Sequence, residues 1–149
     1  MARTVYLDYA STTPLDPRVA EAMQPFFGER FGNPSSVHAF GQSARQAVDA
    51  ARETLARAVG ARDPEEIVFT SGATEADNFA LIGAAYAGEA RGRHLVVSAV
   101  EHHAVLEPAR FLESRGFELT VVPVDGMGRV DPDAVRRAIR PQTVLVSVM

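Results

Sequence analysis

Short apolar runs alternate with longer amphipathic stretches along most of this chain, and each kind of run has its own period. The runs EEIVFTS, HLVVSAV, FELTVVPV and TVLVSVM are brief and nearly unbroken, the pattern of strands buried on both faces of a sheet. Between Gln42 and Val59, the residues Ala44, Ala47, Val48, Ala51, Leu55, Ala58 and Val59 recur at helical spacing, and Gly60 ends the stretch. A second helix is predicted from Ala73 to about Tyr86, apolar over most of its surface and suited to packing on both sides. Ala104 to Arg115 predicts a third long helix and DPDAVRRAI a capped shorter one. Upstream, Asp16 is a plausible N-cap and Pro17 suits the first helical position, so a helix should run from Pro17 to about Phe27. The segment GERFGNPSSVHAFG, with three glycines and a proline, predicts a long loop from Gly28 to Gly41. Strands alternating with helices predict an α/β fold around a mostly parallel sheet.

In open sheets of this kind, ligands gather beyond the carboxyl ends of the strands. Two turns belong at that edge. In TSGATE, Gly72 has no Cβ and lets a ligand approach the backbone, and the amides of Ala73 and Thr74 would be unpaired donors at a helix start. The plainer reading is an ordinary helix start capped by Ser71 or Thr74, with Glu75 complementing the dipole. In SAVEHHAVLE, Glu101, His102 and His103 follow the second run; a histidine there can stack on an aromatic ligand or move a proton. An isolated pair of this kind is also a common surface or capping feature.

Composition narrows the chemistry. All 15 basic residues are arginine, so a phosphate loop of the Gly-Lys-Ser/Thr kind is excluded. Cysteine is absent too, which removes disulfides, thiolate metal sites and a cysteine nucleophile from these residues. The four histidines have no metal-ligand spacing, and no Gly-x-Ser-x-Gly hydrolase signature occurs. A net charge of -4 argues against nucleic acid as a partner. No apolar run approaches the roughly 20 residues of a membrane helix, and MARTVYLDYA lacks a secretory signal's apolar centre, so a cytoplasmic protein without a membrane partner is expected.

Four motifs in order, YLDYASTTPLDPRV, FGNPSSVHAFG, IVFTSGATEADN and VEHHAVLE, resemble the amino-terminal part of the cysteine desulfurases that supply sulfur for iron–sulfur clusters and nitrogenase. These are pyridoxal 5'-phosphate (PLP) enzymes of fold type I, in the class V aminotransferase group. The resemblance implies the front part of a large PLP-binding domain, a mostly parallel sheet flanked by helices. It assigns Ala73 and Thr74 to the PLP phosphate, with Gly72 shaping the turn. It assigns His102 to the pyridine ring, as a stacking group and proton relay, and gives His103 no role. Asn33 would lie on the substrate side of the site; its alternative is a loop residue tolerating positive φ before Pro34.

The implied reaction converts L-cysteine to L-alanine and leaves sulfur as a persulfide on an enzyme cysteine. The implied partners are a second copy in a homodimer and a sulfur-acceptor or iron–sulfur scaffold protein. Such chemistry needs a Schiff-base lysine, an acidic partner for the pyridinium nitrogen and a nucleophilic cysteine. Lysine and cysteine are missing from these residues, and the one other amine is the terminus at Met1. The expectation is an amino-terminal fragment, inactive alone, with residues 1–15 belonging to a small domain or its linker and 16–149 to an incomplete large domain. The alternatives are a selenocysteine lyase or another class V PLP enzyme, and a non-catalytic phosphate-binding or dimerisation module.

Overall fold

The computed structural model describes residues 4–149, so Met1 and its amine lie outside the described residues. The chain divides between Val68 and Phe69 into two compact units.

In the first unit, α1 spans Pro17–Met23 and continues as a tighter helical turn over Gln24–Phe27. Asp16 caps it as expected, its Oδ1 accepting the Arg18 amide at 2.8 Å. The next helix, α2, spans Ala39–Val59 and closes on Gly60 in the left-handed region at φ 72. It starts at Ala39 rather than Gln42, because the His38 Nδ1 accepts the Gly41 amide at 3.3 Å and supplies a cap inside the expected loop. Within that loop Asn33 forms a turn: its Oδ1 accepts the Ser35 amide at 2.9 Å and its carbonyl accepts the Ser36 amide at 2.9 Å. Among the described residues none but glycine has positive φ, so Asn33 shapes this turn through its side chain and not through a left-handed backbone.

EEIVFTS does not become a strand. Residues 67–70 enter no ladder; an extended apolar segment becomes a strand only where a partner strand lies alongside to bond it.

In the second unit the elements are α3 (Ala73–Gly88), β1 (His94–Ser98), α4 (His103–Ser114), β2 (Glu118–Val122), α5 (Pro132–Ala138) and β3 (Thr143–Ser147). The sheet order is β2-β1-β3, and both pairings are parallel. All five residues of β1 are buried. The flanking strands are not, contrary to the expectation of strands buried throughout: among the described residues each keeps one edge without a neighbour, and Val121 and Val146 remain exposed. The core joins Leu81 and Ala85 of α3, Leu95 and Val97 of β1, Val105, Ala109 and Leu112 of α4, and Phe117. Burying each of the valines, leucines and Phe117 among these stabilises the unit by roughly 1.5–3 kcal/mol. The α3 helix packs along one face only, through Leu81, Ala85 and Gly88, and leaves Phe79 exposed. Its second apolar face, expected to pack, finds no cover within this unit. Among the described residues no helix is long and apolar enough to cross a membrane.

Candidate active site

The turn that opens α3 is held by its own side chains. The Thr70 hydroxyl donates to the Gly72 carbonyl at 3.0 Å, and Glu75 Oε2 accepts both the Ser71 amide at 2.7 Å and the Ser71 hydroxyl at 2.6 Å. Those bonds, the hydroxyl first and the amide second, hold the Glu75 carboxyl below the usual range. Ser71 therefore braces the turn instead of capping the helix. Among the described residues no side chain caps α3, whereas Asp16, His38, His102 and Asp131 cap α1, α2, α4 and α5. The first-turn amides of Ala73 and Thr74 carry the positive end of the helix dipole and meet no capping side chain; the Glu75 carboxylate of the same turn is engaged by Ser71.

Gly72 adds to this. Its backbone is fully extended (φ 169, ψ 177), which any residue adopts, and a Cβ built there meets no protein atom within 4 Å. Nothing inside the fold requires glycine at this point. A methyl group would instead fill the open space in front of the turn.

The second turn follows β1. Ser98 is fully buried; its hydroxyl donates to Glu101 Oε1 at 2.9 Å and accepts the Met149 amide at 3.3 Å. This ties the ends of β1 and β3 together and bends the chain into the segment that delivers His102. The imidazole Nδ1 of His102 accepts the Ala104 amide at 3.0 Å, capping α4. The capping role expected as the plain alternative is thus real, and it fixes the ring. With Nδ1 accepting, Nε2 is the nitrogen that carries hydrogen in the neutral ring. The His103 ring lies edge-on to it, 6.2 Å between centroids.

These two turns share a cleft of about 460 Å³, walled by Thr74, Asn78 and Ile82 on one side and by His102, His103 and Phe111, among others, on the other. Thr74 and His102 are therefore brought together. Gly72 and Ala73 precede Thr74 at the start of the same helix and are not among the walls. Asn33 belongs to the other unit. The walls carry no arginine and one carboxylate, Glu107, so the donors the cleft offers are the hydroxyl of Thr74, the amide of Asn78 and the imidazoles.

Sequence reading missed what joins the two sides. Pro108 lies inside α4 and has no N–H, so the carbonyl four residues earlier, on Ala104, loses its helical partner. Asn78 takes its place: Nδ2 donates to the Ala104 carbonyl at 3.2 Å and also to the Thr74 carbonyl at 2.8 Å. The signal was present as a proline four residues after Ala104, and as an asparagine four residues after Thr74.

Comparison with known proteins fits this geometry. The family model for class-V aminotransferases matches residues 5–149. A protein named cysteine desulfurase IscS, from Dictyoglomus turgidum, is 56% identical over 149 residues, covering 100% of this chain and 38% of its own length. Among solved structures, one described as a NifS-like protein superposes with a TM-score of 0.88 at 41% identity, over 97% of this chain and 40% of that one. Another, described as SspA in complex with cysteine, gives 0.83 at 42% identity, over 97% of this chain and 42% of that one. The chain thus spans well under half the length of the relatives it matches.

Proposed function

The chain belongs to the class-V aminotransferase family, and from that premise we propose that it forms the phosphate and ring-face part of a PLP-dependent cysteine desulfurase. The observation that carries this reading is the cleft shared by Thr74, at the uncapped start of α3, and His102, anchored at the start of α4. The residues fit the cofactor: donors without a side-chain cap suit a phosphate dianion, and the Gly72 position has room that a Cβ would fill.

Ala73 and Thr74 hold the phosphate through main-chain N–H groups, with the Thr74 hydroxyl as a further donor. Gly72 lets the backbone close on it. His102 lies against the pyridine ring and keeps a proton available at Nε2. Asn33 is assigned to the substrate side on the strength of the GNPSS motif alone. When bound, PLP supplies an electron sink for breaking bonds at an amino acid's carbons. Because these 149 residues contain neither lysine nor cysteine, covalent capture of the cofactor and acceptance of sulfur fall to groups outside them. The substrate is L-cysteine and the product L-alanine. Sulfur passes to an acceptor or iron–sulfur scaffold protein, and the working unit is a cytoplasmic homodimer. The names of the relatives support this choice over selenocysteine.

The test is made on the complete enzyme, these residues together with the lysine- and cysteine-bearing remainder. It should release alanine and sulfide from L-cysteine, and His102→Ala should abolish most of that turnover. Turnover of selenocysteine but not cysteine, or full activity in the His102 variant, would overturn the reading.

A further inference from the structure

We infer that Asn78 is a positioning residue that fixes the His102 imidazole relative to the start of α3. This rests on the proposed function, in which the two hold opposite ends of one cofactor. Of the two Asn78 side-chain bonds, one stays on α3 and the other crosses the cleft to α4, and both end one step from a site group. Its Nδ2 donates to the carbonyl of Thr74, the predicted phosphate residue. It also donates to the carbonyl of Ala104, whose amide is bound by His102 Nδ1. Both partners are acceptors, which fixes the orientation of the side-chain amide. Two hydrogens on one nitrogen thus set the distance between the first turns of α3 and α4.

The bond to Ala104 exists because Pro108 withholds the N–H that would otherwise occupy that carbonyl. An ordinary residue at position 108 would let the carbonyl bond within its own helix, and the cross-link would face competition. The proline gap and the asparagine therefore act as one device. It holds the two halves of the cleft in register before any ligand arrives, which is where preorganisation contributes to affinity.

The experiment uses the complete PLP enzyme and four forms of it: unmodified, Asn78→Ala, His102→Ala and the double variant. Two quantities are read: the visible circular dichroism of bound PLP, and the dissociation constant of pyridoxamine 5'-phosphate, which does not condense with lysine. Asn78→Ala should diminish the dichroic band and weaken the analogue roughly three- to tenfold, the range for one lost hydrogen bond. In the His102→Ala background the same change should add less than about twofold, because the tether then has nothing to position. An unchanged band, or full additivity with His102→Ala, overturns the inference. If His102→Ala itself leaves band and affinity unchanged, the ring-face assignment fails instead. Should Asn78→Ala not fold, adding Pro108→Ala returns an N–H to the Ala104 carbonyl. That pair should fold and still show the weakened band; a normal band in it also overturns the inference.

Discussion

Replacing Gly72 by alanine separates a structural glycine from one kept for a ligand. In the protein the change is nearly neutral. The backbone is already extended at φ 169, and the new Cβ has no protein atom within 4 Å. Reduced freedom of the unfolded chain contributes about 0.4–1 kcal/mol of stability. Alanine is a poorer N-cap than glycine, which costs on the order of 0.5–1 kcal/mol. The two offset, leaving a net change within about 0.5 kcal/mol. On the proposed function, the methyl group would stand where the phosphate approaches. Loss of one bond to a charged group costs about 1.5–3 kcal/mol, a 10- to 150-fold weaker complex. The assay pairs a thermal melt of the complete apoenzyme with equilibrium dialysis of pyridoxamine 5'-phosphate. Gly92→Ala is the contrast: its Cβ would collide with the Gln142 main chain, so that variant should lose stability outright. Unchanged affinity in Gly72→Ala, or a large drop in its melting temperature, refutes the reasoning.

Further outcomes follow from the same structure. His94 is buried at the start of β1, its Nδ1 2.7 Å from the Thr143 hydroxyl and its Nε2 2.8 Å from that of Thr120. Burial first, and the Arg140 charge second, hold its pKa below the ordinary value, with Glu118 opposing. The unfolded chain then takes up a proton before the folded one. Stability in urea should accordingly be full above about pH 6.5 and fall as pH drops through the folded value. His94→Ala should cost about 2–4 kcal/mol and remove that slope; a slope that persists in the variant contradicts the assignment. Because the 149 residues carry no lysine, soaking this chain in PLP and reducing it with borohydride should add cofactor mass at the terminal amine alone; an adduct mapped anywhere else counts against the account. Expressed by itself, the chain should aggregate or bind hydrophobic dyes, since Leu7 and Val37 are each 89% exposed and Phe27 is 74% exposed. A sharp, reversible melt of a monomer would contradict this.

Much of the fold was legible because its signals are local. Asp16 and Asp131 announce helix starts, Gly60 a helix end, and the periodicity of 42–59 a helix, all from neighbouring residues. The three paired strands were legible as apolar runs, but EEIVFTS has the same composition and stays unpaired, because pairing depends on what lies alongside. The early start of α2 was missed because histidine is not among the usual capping residues, yet His38 caps as His102 does. At the site, the motifs marked Thr74 and His102, which the fold brings to one cleft. They did not mark Asn78, whose role follows from a hydrogen-bond vacancy on another helix. Such a vacancy is visible only once the carbonyl left free by Pro108 is counted.

The central claim is that the amides of Ala73 and Thr74 grip a phosphate while His102 lies against the ring. Selective 15N labelling of alanine and threonine in the complete apoenzyme tests it directly, by titration with pyridoxamine 5'-phosphate and, in parallel, with pyridoxamine. The account predicts that the Ala73 and Thr74 amide resonances move with the phosphorylated ligand and stay in place with the other. Resonances that ignore both ligands, or respond equally to both, would contradict it.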